Sequence, residues 1–254
     1  MVQFRSILKV TAEEWMSAMG LASSEIPDIV IVEGSWQRAQ RTEWRLGYLE
    51  DVRELDLSDI FWGRWREKKI VFCCAYGPAR TAEVIHLFVG LIGASLAVQI
   101  GTCGGLQPHL RSGDILLPEQ AACQEGVAQH YGAGQTAAGS IPHIQRVEQI
   151  LQAQGHTVHR GPHLTWPALF METEALMQSW HQAGFLGVDM ETATTFAVAN
   201  YFNMPAISLL VVWDALTSGK SFIDPLEAGE QAALDAANAA VFEAALALAE
   251  AIPA

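Results

Sequence analysis

Positive charge is scarce in this chain. Only 15 Lys and Arg stand against 28 Asp and Glu in 254 residues, a net charge of −13. That balance argues against a broad surface for nucleic acid or an anionic membrane, because either needs a field of the opposite sign. A small anion would have to be held by particular arginines. Cysteine is also sparse, and the four present match neither zinc spacing nor a disulfide framework. Cys73 and Cys74 lie side by side in an apolar, strand-like run and read as reduced core residues. Long hydrophobic runs are missing too: the apolar stretches break before the roughly 18–20 residues that a membrane helix needs. The opening stretch MVQFRSILKVTAEEW has no signal-peptide core or cleavage site, so the expectation is a soluble, cytoplasmic protein. His156, His159 and His163 cluster in HTVHRGPHL without a Cys or acid at ligand spacing. No metal is expected there, and the alternation reads as an edge strand and loop.

What is present is a chain of 50% hydrophobic and 17% charged residues, long enough for one α/β domain with a substantial core. Thr11-Ala-Glu-Glu14 is a capping-box pattern and predicts a helix over 12–20. Residues 28–32 read as a strand that turns at Gly34 into a helix carrying Arg38, an anion cradle in outline. The tryptophan-rich, charged stretch 42–68 reads as an irregular connection. Strands follow at 70–75, 94–100 and 113–117, with helices at 81–92, 142–154, 172–183 and 227–252. Between them, residues 101–105 form a glycine-rich turn whose missing side chains would let a ligand approach the backbone. The alternation predicts a single domain of mostly parallel sheet over residues 1–254.

The stretch from Phe185 to Leu216 carries the chemistry, because Asp189, Glu191 and Asp214 stand there among apolar residues. Ala193, Phe196, Ala197, Asn200 and Tyr201 give the segment after Glu191 the spacing of a buried helix face. Acids at a helix entrance are favoured by the helix dipole without any chemical role, and that alternative stands beside the functional one. Residues 206–213 read as a buried strand closed by Asp214. An acid at the carboxyl end of a strand is well placed for ligand binding, although a plain capping role is the alternative.

Three segments together resemble the nucleoside phosphorylase and nucleosidase superfamily that includes purine nucleoside and uridine phosphorylases. They are IGTCGGLQPHLRSGDILLP at 100–118, VDMETATTFAVA at 188–199, and Glu33-Gly-Ser-Trp-Gln-Arg38, similar to a Gly-Asp-Pro-x-Arg phosphate turn. The likeness covers most of residues 28–250. It implies a three-layer α/β/α sandwich with a central mixed, partly barrel-like sheet, in a homo-oligomer of two, three or six chains. It also implies cleavage of a nucleoside N-glycosidic bond, with phosphate as co-substrate in phosphorylases or water in nucleosidases, and no cofactor. By resemblance Gly34, Arg38 and Thr102 would hold phosphate, with Arg53 near where a neighbouring subunit's arginine would come. Met190 and Glu191 would hold the ribose with Thr102, while Phe170, Asp189 and Gly104 would line the base pocket. Asp214 would protonate or hydrogen-bond the leaving base.

The chain departs from the family pattern at two points. Gln99 stands where phosphorylases carry an arginine, and a neutral amide replaces neither its charge nor its bidentate geometry. Arg80, in the turn after the preceding strand, is one candidate to fill that gap. Trp213 replaces the serine that precedes the acid in purine-specific members. Phosphorolysis is the leading expectation, with hydrolysis or non-catalytic nucleoside binding as alternatives.

Overall fold

Alternate residues of the inner strands face two different hydrophobic cores, and this sets the architecture. The structure is a computed structural model that describes residues 6–219 and 221–252; the first five residues of the opening stretch lie outside the described residues. The strands are β1 (Ile29–Gly34), β2 (Glu50–Glu54), β3 (Phe61–Trp65), β4 (Lys68–Ala75), β5 (Leu96–Gly105), β6 (Ile115–Cys123), β7 (Thr136–Ala138), β8 (Val158–Thr165), β9 (Gly187–Asp189) and β10 (Ala206–Ala215). The helices are α1 (Ala12–Ala18), α2 (Arg38–Leu46), α3 (Pro78–Ile85), α4 (Val127–His130), α5 (Ile141–Ala153), α6 (Glu174–Gln182), α7 (Thr192–Tyr201) and α8 (Ala228–Glu250). Val30, Val32, Val71 and Cys73 pack with Met16, Val84 and Phe196 from α1, α3 and α7. Ile29, Ile31, Ile70 and Phe72 pack the other way, with Ile144 of α5 and Val241 and Phe242 of α8. A period-2 strand buried on both faces yields the three-layer α/β/α sandwich.

The sheet order is β2-β3-β4-β1-β5, after which β5 pairs with both β10 and β9. Strand β10 pairs with β6, β6 with β8, and β8 with β9, which closes a ring of five strands. The mixed sheet is thus partly a barrel, as the resemblance implied. Closure satisfies the backbone groups that an open edge would expose.

Several sequence readings need correction. The stretch 42–68 is not an irregular connection: it holds the end of α2 and the β2–β3 hairpin, and Trp62 lies buried with its indole N–H donating to the Glu25 carbonyl. The glycines of 101–105 form no turn, because β5 continues through Gly105, held by β10 on one side and, at Gly104 and Gly105, by β9. Likewise Gly34 is the last residue of β1 rather than the tight point of a turn. The segment around His159 is not an edge strand, since β8 runs between β6 and β9. Its histidines go separate ways: His159 Nε2 lies 3.3 Å from Asp114, while His163 is buried beside Asp189. The capping box is present, with Thr11 N donating to Glu14 at 2.8 Å and Glu14 N to Thr11 Oγ1 at 3.2 Å, and the helix it starts ends at Ala18. All four cysteines are buried and free.

Helix α8 is long and apolar enough to cross a membrane by composition, yet here it forms part of the core. Phe242 shows why. It is fully buried, edge-on to Tyr48 at 5.3 Å and to Phe72 at 6.0 Å, and the Arg45 guanidinium lies 5.0 Å from its ring. Phe242→Ala is expected to cost about 3–5 kcal/mol. Urea denaturation would show it, and a loss below about 1 kcal/mol would mean that α8 is not packed as described.

Candidate active site

The carboxyl ends of β1, β5, β9 and β10 converge on one cleft of about 490 Å³, the size of a small-molecule pocket. Strand register fixes its floor. Gly34 pairs with Gly101 across β1 and β5, while Asp214, Gly104 and Val188 form a row across β10, β5 and β9. With strands about 4.8 Å apart, Asp214 stands roughly 10 Å from Val188, across a residue with no side chain. The register shifts between Val212 and Asp214, leaving Trp213 as the extra residue of a β-bulge. Bulges re-aim side chains, and this one accompanies the entry of Asp214 into the cleft wall.

Glu191 is the N-cap residue of α7 and only 4% exposed. One carboxylate oxygen accepts from Gly77 N at 2.6 Å. The other lies against Gly34, where an added Cβ would come within 2.5 Å of Oε2. Gly34 therefore has a role besides any phosphate contact: it makes room for the Glu191 carboxylate. Gly77, with φ +87°, turns its amide to the same group from the start of α3.

Three acids of the cleft have raised proton affinity. Burial, with the neighbouring Asp189 charge, pushes Glu191 up to about 8, against hydrogen bonds from Gly77 and Met190. Asp214 is pushed up to about 6 by burial, against backbone donors from its own amide and Phe222. Glu172, which sequence reasoning passed over, rises to about 7 through burial and the charge of Asp214. A cleft whose acids hold protons near neutrality can offer hydrogen-bond donors as well as acceptors.

The structure separates the expected site residues into two groups. Gly34, Thr102, Gly104, Met190, Glu191, Asp214 and Phe170 all line the cleft. Phe170 is 85% exposed on a short turn at the mouth. Asp189 contributes to the lining, but its carboxylate is fully buried and turned into a network. It accepts from Thr165 Oγ1 at 2.9 Å, Thr192 N at 2.9 Å and Thr192 Oγ1 at 2.6 Å. Asp189 thus anchors the first turn of α7 and offers no carboxylate to a base, while Glu191, at the same helix entrance, turns its carboxylate toward the cleft. Gln99 is also fully buried in that network, within hydrogen-bond reach of Thr192 and Ser208.

The expected arginines lie elsewhere. Arg38 pairs with Asp59 at the surface because α2 begins at residue 38 and carries its guanidinium outward. Arg53 is tied to Glu25 at 2.9 Å, and Arg80 donates to the Ser58 carbonyl at 3.0 Å. The arginine that does line the cleft is Arg41, one turn along α2. Trp36, Tyr76 and Phe222 also went unread. Trp36 touches Tyr76, Phe170 and Phe222 at centroid distances of 5.8, 6.0 and 5.8 Å, making an aromatic roof from four separate loops. No local pattern joins these rings, since they meet only after folding.

A closed five-stranded ring, with buried acids and an aromatic roof around the cleft at its strand ends, defines the class as a mixed α/β domain with one small-molecule-sized cleft. The chain belongs to the Phosphorylase superfamily, whose family model matches residues 28–247. It is 25% identical over 205 residues to a DeoD-type purine nucleoside phosphorylase of Alkaliphilus metalliredigens, covering 79% of this chain and 88% of that one. A DeoD-type purine nucleoside phosphorylase of Roseobacter denitrificans is 28% identical over 219 residues, covering 84% and 92%. Among solved structures, uridine phosphorylase from Vibrio fischeri ES114 superposes with a TM-score of 0.75 at 20% identity, covering 89% of this chain and 92% of that one. That likeness establishes the fold.

Two outcomes follow from the geometry. Gly34→Ala should displace the Glu191 carboxylate from the Gly77 amide and cost about 1–3 kcal/mol of stability, the range for a buried hydrogen-bonding group left without its partner, with the far-UV spectrum unchanged. An unchanged urea midpoint would show that the Gly34–Glu191 contact is unimportant. For pH, Glu191, Glu172 and Asp214 all bind protons more tightly folded than unfolded. The folded state holds the extra protons between about pH 4 and about pH 8, so their contribution makes stability fall as pH rises through that window. Melting temperatures should decline from pH 5 to pH 8, and Glu191→Gln should flatten the decline; parallel curves for the two proteins would rule out the Glu191 share.

Proposed function

We propose that this protein cleaves the N-glycosidic bond of a nucleoside by phosphorolysis, giving free base and (deoxy)ribose 1-phosphate. The observation that carries the reading is that Glu191, at the start of α7, and Asp214, near the end of β10, line one cleft. Its curated relatives named as purine nucleoside phosphorylases support the reaction class. Met190 packs under the ribose, and Glu191 accepts from its vicinal hydroxyls. Glu191 gives up its proton to solvent as those donors arrive, and its charge then favours the positive charge that develops on the sugar. Asp214 gives its proton to the departing base as the C–N bond breaks, and phosphate oxygen bonds to the anomeric carbon. Phe170 and Trp36 offer ring faces to the base. The protein is read as a cytoplasmic homo-oligomer that needs no cofactor beyond inorganic phosphate.

A second reading, hydrolysis by water, draws on one observation: Gln99 is buried beneath the cleft and leaves the expected arginine position without charge. A panel of purine and pyrimidine nucleosides, incubated with and without phosphate, separates the two. Phosphate-dependent release of base with sugar 1-phosphate supports phosphorolysis, and free ribose without phosphate supports hydrolysis. Binding without release would make this a nucleoside-binding protein.

With a purine nucleoside, Asp214→Asn should lower kcat by about 10²-fold or more while KM changes little. The wild-type rate should fall as pH rises above about 6, where Asp214 loses its proton. Unchanged turnover in the variant would confine Asp214 to a structural part. Glu191→Ala should weaken sugar binding severely, and wild-type activity in that variant would remove the centre of the proposal.

A further inference from the structure

Two arginines of α2 share a single buried carboxylate. Arg45 is fully buried and grips Glu33 with both arms of its fork, Nε to Oε2 at 2.8 Å and Nη2 to Oε1 at 3.0 Å. Its remaining Nη1 donates to the Asn238 carbonyl at 2.9 Å. Arg41, one helical turn earlier, stands 3.8 Å from the same Glu33, and its side chain is only 9% exposed. Among the described residues its hydrogen bond is a single one, Nη1 to Asn238 Oδ1 at 2.9 Å. The pair of arginines therefore brings two positive charges against one negative charge, inside the wall of the cleft. Burial works against the charge on Arg41, Glu33 supports it, Arg45 opposes it again and the exposed Asp235 adds weak support, yet a guanidinium stays protonated. A buried cation left with surplus charge and unused donors is the side an anion completes.

Position narrows what that anion is. Arg41 lines the same cleft as Gly34, Ser35, Thr102 and Glu191, next to the place where a sugar would lie. Arg38 is engaged with Asp59 outside, and Gln99 is turned into the Asp189 network below. We infer that Arg41 is the oxyanion-holding residue of the cleft and binds inorganic phosphate as the attacking co-substrate, the task expected of Arg38 and of the residue at 99. The inference rests on the phosphorolytic reading for the phosphate's role, but not for its binding. Asn238 and Glu33 orient the guanidinium from α8 and β1, so the site is built from three elements. Arg45, locked on Glu33, keeps that carboxylate from neutralising Arg41.

The test uses wild type, Arg41→Met, Arg41→Lys and Arg38→Met, each titrated with inorganic phosphate by calorimetry and assayed for nucleoside cleavage across phosphate concentrations. Arg41→Met should weaken phosphate binding, and raise the KM for phosphate, tenfold or more, while the KM for nucleoside moves less than twofold. Arg41→Lys should recover part of the loss, and Arg38→Met should leave phosphate binding within twofold of wild type. Should Arg41→Met not fold, Asn238→Asp reads the same charge: a carboxylate at the hydrogen-bonded Nη1 should also weaken phosphate tenfold. The inference is overturned by unaltered phosphate binding in folded Arg41→Met or Asn238→Asp, by an equal loss in Arg38→Met, or by no phosphate binding to the wild type. If the wild type releases free ribose without phosphate, the phosphorolytic reading fails by itself, and calorimetry still decides whether Arg41 holds an oxyanion.

Discussion

The contact on which the site depends is a carboxylate fitted between two glycines. Glu191 reaches the cleft because Gly34 has no Cβ to meet it and because Gly77 turns a bare amide to its other oxygen. Those glycines end β1 and start α3, segments far from Glu191 in the chain. Any drift of β1 against α7 would either drive backbone into the carboxylate or leave a buried acid without its donor, and both are costly. The position of one acid thus fixes the relative placement of one strand end and two helices.

That precision is underwritten by the network beneath. Asp189, Thr165, Thr192, Gln99 and Ser208 come from β9, β8, α7, β5 and β10, so four of the ring's five strands are joined by side-chain hydrogen bonds as well as by their ladders. Asp189 serves the site at one remove: it caps α7, and its charge raises the proton affinity of Glu191. Two acids separated by a single residue have different tasks because one points into the ring and the other into the cleft. The bulge at Trp213 does a similar service for Asp214 on the opposite side.

The electrostatics are consistent with this division. A chain carrying a net charge of −13 places acids around its cleft, and burial holds their protons on toward neutrality. The positive charge of the cleft comes from Arg41, whose partner Glu33 is occupied by Arg45. Proton-holding acids and one guanidinium charge are thus kept in one cleft where solvent screens them little.

Much of this was legible in the sequence. Branched runs such as Ile29–Val32 and Ile70–Ala75 specify strands buried on both faces, since apolar residues with no polar alternation need two cores, and the motifs singled out Glu191, Asp214, Met190 and Gly34, which line one cleft. Sequence also determined that Gln99 brings no charge. It did not reveal that β5 runs straight through its glycines, because only pairing with β10 and β9 holds them extended. Nor did it separate Arg38 from Arg41. Both lie on one short helix, and which guanidinium turns inward depends on where α8 places Asn238 and how β1 presents Glu33. Local pattern determines which face of an element is apolar; contacts between distant segments decide which polar side chain is enclosed, because burying a charge is tolerated only where partners from elsewhere in the chain come to meet it.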